Sequence, residues 1–375
     1  MTRHRKSRTR QRYTKLGGLL LIAALLAASC SDGDSAEDAT PATTAAPATT
    51  EAPATTAAPA TTEAPEVAED LAEDALIQLL QPGEHSYIQG GNDGFEAEAA
   101  RLGLQNAEVK VGDWSVESQV ALVQNAISQG AQGIIIQPTD SVAIAPAIDD
   151  AIEAGVCVVM LVANAGEDSK SVYPGTKGFV GWDEYENGQI VGRALAERIG
   201  GSGKIVIVAG TLTSGAVRSR VDGVEDVLAE SFPDIEILTL RDAGFAAEDA
   251  RKTMQDLIQR YGDEIDGAVF TQNVSSVAAA DVIEASPLEK EIPIASMGGQ
   301  QTFINYIAEG KLWATTPEAP FDTAAKALEL TVDCINGDTE PVYFRTQQLD
   351  SVKVLADYNY LITEENLDLF TPQWD

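Results

Sequence analysis

The sequence is poor in the residues that most often carry metal and redox chemistry. It has two histidines and three cysteines in 375 residues. His85 has no histidine or cysteine near it in the chain, so the clustered ligands of a metal site are missing. No metal and no cofactor are expected. Cys157 falls in an apolar, strand-like stretch and Cys334 in a helical one, which leaves two readings: a disulfide, permitted outside the cytoplasm, or two buried thiols. Nucleophile motifs are also missing. There is no G-x-S-x-G elbow, no His-Glu zinc motif and no Cys–His pair, and in Gly200-Gly201-Ser202-Gly203-Lys204 the next residue is Ile205, where a phosphate loop needs Ser or Thr. An enzyme is not expected. Positive charge is scarce too, with 25 Lys and Arg against 58 Asp and Glu and a net charge of −33. Such a surface is a poor partner for nucleic acid and for an anionic bilayer.

Long apolar runs are absent as well. The longest, residues 16–29, has 14 residues, short of the roughly 20 that a membrane helix needs. It follows Arg3, Arg5, Lys6, Arg8, Arg10, Arg12 and Lys15, with no acid among residues 1–29, the charged start and short apolar middle of an export signal. The small residues before Cys30 resemble the bacterial lipobox. That resemblance implies cleavage at residue 29, lipidation of Cys30 and a membrane anchor outside the cytoplasm; ordinary secretion with cleavage nearby is the alternative. Residues 30–70 are mainly Ala, Thr, Pro, Glu and Asp, without the large apolar residues that seed a core. They are expected to form a disordered, proline-stiffened tether.

Beyond residue 70 the pattern is regular. Apolar strand-length runs at 75–80, 107–111, 133–136 and 156–162 alternate with amphipathic stretches such as 116–129 and 142–154. A second series has strands at 179–181, 205–208, 235–238, 268–270 and 292–295, with helices at 187–199, 216–231, 247–261 and 274–285. Late pieces follow: 314–316, a helix over 321–336, then strands at 342–344 and 352–355. This is the grammar of an α/β fold with two doubly wound, parallel-sheet lobes. The late pieces complete both sheets, so the chain crosses between lobes more than once. The expected lobes are 71–178 with 319–347, and 179–318 with 348–372.

Particular residues sharpen this. Ile136-Gln137-Pro138-Thr139-Asp140, Val180-Gly181-Trp182-Asp183, Ala216-Val217-Arg218-Ser219-Arg220-Val221-Asp222-Gly223, Thr271-Gln272-Asn273 and Gly298-Gly299 together resemble the ribose- and galactose-type solute-binding proteins of bacterial ABC importers. The match runs over residues 75–372. It implies two Rossmann-like lobes joined by a three-crossover hinge, the type I periplasmic binding protein fold, closing on a solute. In open parallel sheets, ligands sit at the carboxyl ends of the strands.

Carried over position by position, the resemblance assigns ligand contacts to Tyr87, Asn164, Arg218, Phe245, Asn273 and Glu318. Trp182 and Asp183 at the first crossover, and Trp114 after the second strand, either line the cleft or cover the hinge. His85 is a ligand contact or a plain loop residue, and Gln300 is a further candidate. Arg220 is expected to be structural. Gly298 stands where the family has an aspartate. Such a cleft suits a small polyhydroxylated solute, probed as a sugar or polyol, handed by a monomeric binding protein to an ABC permease. Presentation of the ligand to a membrane receptor or kinase is the rival reading. A transcriptional regulator, which shares the fold, would need a basic helix-turn-helix in front, and an acidic stalk stands there instead.

Overall fold

The computed structural model describes residues 72–168, 170–338 and 340–375; the export signal, Cys30 and the whole of the expected tether lie outside the described residues. Two parallel sheets organise the rest. The first lobe runs β1 (Leu76–Gln81), α1 (Ser86–Leu102), β2 (Asn106–Val111), α2 (Val116–Ser128), β3 (Gly133–Ile136), α3 (Ala145–Glu153), β4 (Cys157–Leu161) and β5 (Gly178–Gly181). The second runs α4 (Glu184–Arg198), β6 (Ser202–Ala209), α5 (Gly215–Ser231), β7 (Asp234–Asp242), α6 (Ala247–Tyr261), β8 (Gly267–Phe270), α7 (Asn273–Glu284), β9 (Ile294–Gly298), α8 (Gln301–Ala308) and β10 (Ala314–Pro317). The chain then returns to the first lobe as α9 (Pro320–Ile335) and β11 (Val342–Arg345), and a short helix, α10 (Asp350–Lys353), begins the final passage.

Strand order is β11-β5-β4-β3-β1-β2 in one sheet and β10-β9-β8-β6-β7 in the other. The interior strands β3, β5 and β8 are buried along their whole length, as expected of a sheet covered on both faces, whereas the edge strands β2 and β7 are partly exposed. The two-lobed parallel α/β class is thus the one expected from the sequence pattern.

Three details differ. Residues 178–181 belong to the first sheet, not the second series: Met160 faces Phe179 and Leu161 faces Val180 in the β4–β5 ladder, so the first crossover follows Gly181. Residues 352–355 are not a strand: α10 ends at Lys353 and a turn follows over 354–355. Val352 and Leu355 are buried while Lys353 and Val354 are exposed, a period near three, which a strand cannot produce. Residues 86–102, for which no helix was expected, form α1, capped by His85.

Cys157 and Cys334 form a disulfide, with Cα atoms 6.1 Å apart, joining the start of β4 to α9. Of the two readings left open by the sequence, the bridge holds. The crossovers meet in a small apolar cluster of Trp182, Ala319 and Val352, one residue from or beside each passage, with Tyr360 edge-on to Trp182 at 6.0 Å.

Candidate functional site

The carboxyl ends of both sheets face each other, and the lobes touch at the rims. Trp114, after β2, stacks on Phe245, after β7, with ring centroids 5.6 Å apart and planes 27° apart. On another rim, the Lys170 ammonium sits 4.2 Å from the Tyr185 ring centre. Between the lobes lies a cavity of about 100 Å³, lined by Tyr87, His85, Trp114, Phe245 and Trp374 on its aromatic side and by Arg220, Asn273, Gln272 and Glu318 on its polar side.

The polar side is built on close helix packing. A Cβ on Gly188 of α4 would collide with the Arg220 carbonyl, and one on Gly223 of α5 with the Tyr185 carbonyl. Only glycine at these positions lets the two helix backbones approach so closely. The approach puts Glu184, in the first turn of α4, against Arg220. The guanidinium donates from Nε to Glu184 Oε2 (2.6 Å), from Nη2 to Glu184 Oε1 (2.7 Å) and to Glu318, and from Nη1 to the Thr271 carbonyl (2.7 Å). Asn187 donates to Glu184 Oε2 (3.1 Å) and accepts from Thr316 Oγ1 (2.7 Å). A fully buried cation therefore serves two buried carboxylates. Desolvation opposes the charge on Arg220, but Glu184 and Glu318 outweigh it and raise its pKa. Burial pushes the Glu318 carboxyl up; Arg220 pulls the other way and Glu184 adds to the rise. Burial, then the charge of Glu318, also holds the Tyr87 phenol well above its ordinary value, so it stays protonated.

Asn273 opens α7 and is fully buried. Its amide donates to Thr315 Oγ1 (3.0 Å) and its carbonyl accepts from the Gln300 backbone N–H (2.8 Å), which fixes the orientation it presents. His85 is the N-cap of α1: Nδ1 accepts from the Tyr87 N–H (3.1 Å), and burial lowers its pKa, favouring the neutral acceptor form. Two non-glycine residues at the cleft have left-handed backbones, Trp114 (φ 67°) and the β-branched Val162 (φ 63°). Such strain persists only where surrounding structure imposes it, and it concentrates at ligand clamps.

The cavity thus brings together Tyr87, Phe245, Asn273, Glu318, His85 and Trp114. It does not include the other five candidates. Asn164, Trp182 and Arg218 line a separate interlobe compartment of about 320 Å³, divided from the first by Val162 and Ala216, which line both. Asn164 donates to the Ser171 carbonyl and holds the β4–β5 loop. Asp183 is the N-cap of α4, accepting from the Glu186 N–H (3.1 Å). Gln300 stands behind Asn273, not in the cavity.

That Arg220 rather than Arg218 lines this cavity, while serving the structural ion network expected of it, has a physical cause. Arg220 lies three residues from Val217 and four from Val224, both buried, so it shares the inward face of α5; Arg218 shares its face with Asp222 and Glu225. That signal was present in the sequence. Trp374 had none, because it lies beyond the last periodic element.

Two hinged lobes closing on an aromatic and polar cavity at facing sheet ends define a solute-binding protein. The chain belongs to the family of the periplasmic binding protein domain, whose model matches residues 79–339. Among curated relatives, the xylitol-binding protein of Mycolicibacterium smegmatis is 25% identical over 261 residues, 69% of this chain and 72% of the relative. The ribose import binding protein of Bacillus subtilis is 27% identical over 245 residues, 65% of this chain and 76% of the relative. A solute-binding protein from Actinobacillus succinogenes with bound D-allose superposes with a TM-score of 0.69 at 25% identity, covering 79% of this chain and 100% of its own. A solute-binding protein from Bacillus halodurans with bound myo-inositol gives 0.70 at 20% identity, over 79% and 97%.

Among the described residues no helix is long and apolar enough to cross a membrane, and no group of three or more His, Cys, Asp or Glu is placed to hold a metal ion.

Proposed function

We propose that this chain is an extracytoplasmic, lipid-anchored binding protein that captures a compact sugar or polyol between its lobes and delivers it, as a monomer, to an ABC import permease. The observation that carries this reading is the cavity itself. Aromatic rings offer flat apolar faces for the C–H side of a polyhydroxylated solute, while Arg220, Asn273 and Glu318 are held rigidly by partners behind them. A site so arranged binds hydroxyls without first ordering its own side chains. The names of the relatives, binders of xylitol and ribose, support the same solute class. Cys30 and the tether after it would keep the lobes near the permease.

A thermal-shift screen of pentoses, hexoses, pentitols and inositols tests the solute class, with amino acids and nucleosides as controls. A ligand at one hundred times its Kd stabilises the folded form by about 2.7 kcal/mol, which is readily seen. A shift confined to the control classes refutes the reading. For the anchor, Cys30→Ser should release the protein from the membrane fraction; retention there would refute lipidation at that residue.

A further inference from the structure

Trp374 enters the cleft on a segment that belongs to neither sheet. Just before it, Gln373 is fastened to the first-lobe helix α9: its Nε2 donates to Asp322 Oδ2 (2.7 Å), and its Oε1 accepts from the Asp322 N–H (3.2 Å). Beyond that point the second lobe takes hold. The Trp374 carbonyl accepts from the Gln301 N–H (3.0 Å), and Asp375 Oδ1 accepts from the N–H (2.9 Å) and hydroxyl of Thr302, in the first turn of α8. Residues 373–375 therefore strap one lobe to the other, with the indole between the two attachments.

The ring is oriented as firmly as the backbone. Its Nε1 donates to the Gly298 carbonyl (3.1 Å), and it meets Tyr87 edge-on at 5.5 Å, with His85 at 6.0 Å. Gly298 has φ 146°, and a Cβ there would press on both the Asn273 amide and the indole. Trp374 is 9% exposed, yet its ring lines the cavity that holds Arg220, Asn273 and Glu318. A buried indole N–H ordinarily takes a partner; what sets this tryptophan apart from a space-filling one is the glycine making room for it and the anchors on both lobes.

We propose that Trp374 is a ligand-contacting, specificity-determining residue: its indole forms a wall that limits the cavity to a compact polyol, and the strap sets the position of that wall. This rests on the sugar or polyol reading above. The cavity, about 100 Å³, is small beside the roughly 300–1,000 Å³ of ordinary ligand pockets, and Trp374 and Trp114 are the two largest side chains facing it.

The test is calorimetric titration of xylitol, D-ribose and myo-inositol into the wild-type protein, Trp374→Ala and Trp374→Phe. Trp374→Ala should weaken the best-bound probe by about thirtyfold or more and shift the rank order toward the bulkier ring. Trp374→Phe keeps a ring but loses the bond to Gly298, and should fall between. If the alanine variant does not fold, a rank-order change in Trp374→Phe still decides. Wild-type binding with unchanged affinities in the variants, or a uniform loss with the rank order intact, overturns the role of Trp374 alone. Wild-type protein that binds none of the three overturns the solute class, and the proposal with it.

Discussion

Replacing Arg220 by methionine keeps the length of the side chain and removes its charge. In the folded protein that residue satisfies Glu184 through two bonds, Glu318 through one and the Thr271 carbonyl through another. Both carboxylates are under a tenth exposed, so neither can turn to water. Removing one partner of a buried ion pair costs about 3–5 kcal/mol, a large fraction of the roughly 5–15 kcal/mol that holds a domain folded. Arg220→Met should therefore lose stability on that scale, measured by urea unfolding followed by circular dichroism.

The loss should also depend on pH. Burial already pushes the Glu318 carboxyl upward, and Arg220 is what opposes the rise; without it the folded-state pKa climbs further. A carboxyl raised in the folded state binds a proton that the unfolded chain, titrating near about 4.3, does not hold. Stability is then greatest below that value and is lost as pH rises through the folded-state pKa. The variant should recover at pH 5 relative to pH 8, and adding Glu184→Gln and Glu318→Gln should restore much of the loss at pH 8. A loss under about 1 kcal/mol, or one equal at both pH values, would refute the account of the ion network.

Arg218→Ala should leave solute affinity within about twofold, because its side chain lies in the other compartment; a tenfold loss by calorimetry would return it to the site. Trp114→Ala removes a stack worth about 0.5–1.5 kcal/mol that exists only when the lobes meet, so it should speed dissociation several-fold in stopped-flow fluorescence while leaving the unfolding midpoint of the ligand-free protein nearly unmoved. An unchanged off-rate would mean that the stack is incidental. Paired replacement of Cys157 and Cys334 by serine should lower stability by about 2–4 kcal/mol with solute affinity intact; a lost affinity would tie the bridge to the cleft.

The fold was legible because burial on both faces writes itself into a strand. Stretches such as 133–136 and 267–270 carry no charged residue, and the helices between them show one apolar face. What escaped were features set by partners distant in sequence. Residues 178–181 pair with β4 across an irregular loop, so nothing local says which sheet they join. In 352–355 the three-residue spacing of Val352 and Leu355 fits a helical turn, while the two valines favour a strand. At the site, Tyr87, Phe245 and Asn273 lie in the segments that follow β1, β7 and β8, and it was the family resemblance that singled them out there. Arg220 depended on reading the face of α5, and Trp374 on a segment whose position is set by Asp322, Gln301 and Thr302.

The return of α9 and β11 to the first lobe has a consequence for the order of assembly. The second sheet is built from one uninterrupted stretch of chain, whereas the first lacks its outermost strand and a covering helix until the chain has passed through the whole second lobe. A polypeptide emerging amino end first across a membrane would hold the early strands β1 to β5 exposed on one face while waiting for partners more than a hundred residues behind. Contacts so distant are slow to form. The bridge between Cys157 and Cys334, 177 residues apart, can close only after that wait, and its closure records that the late helix has docked.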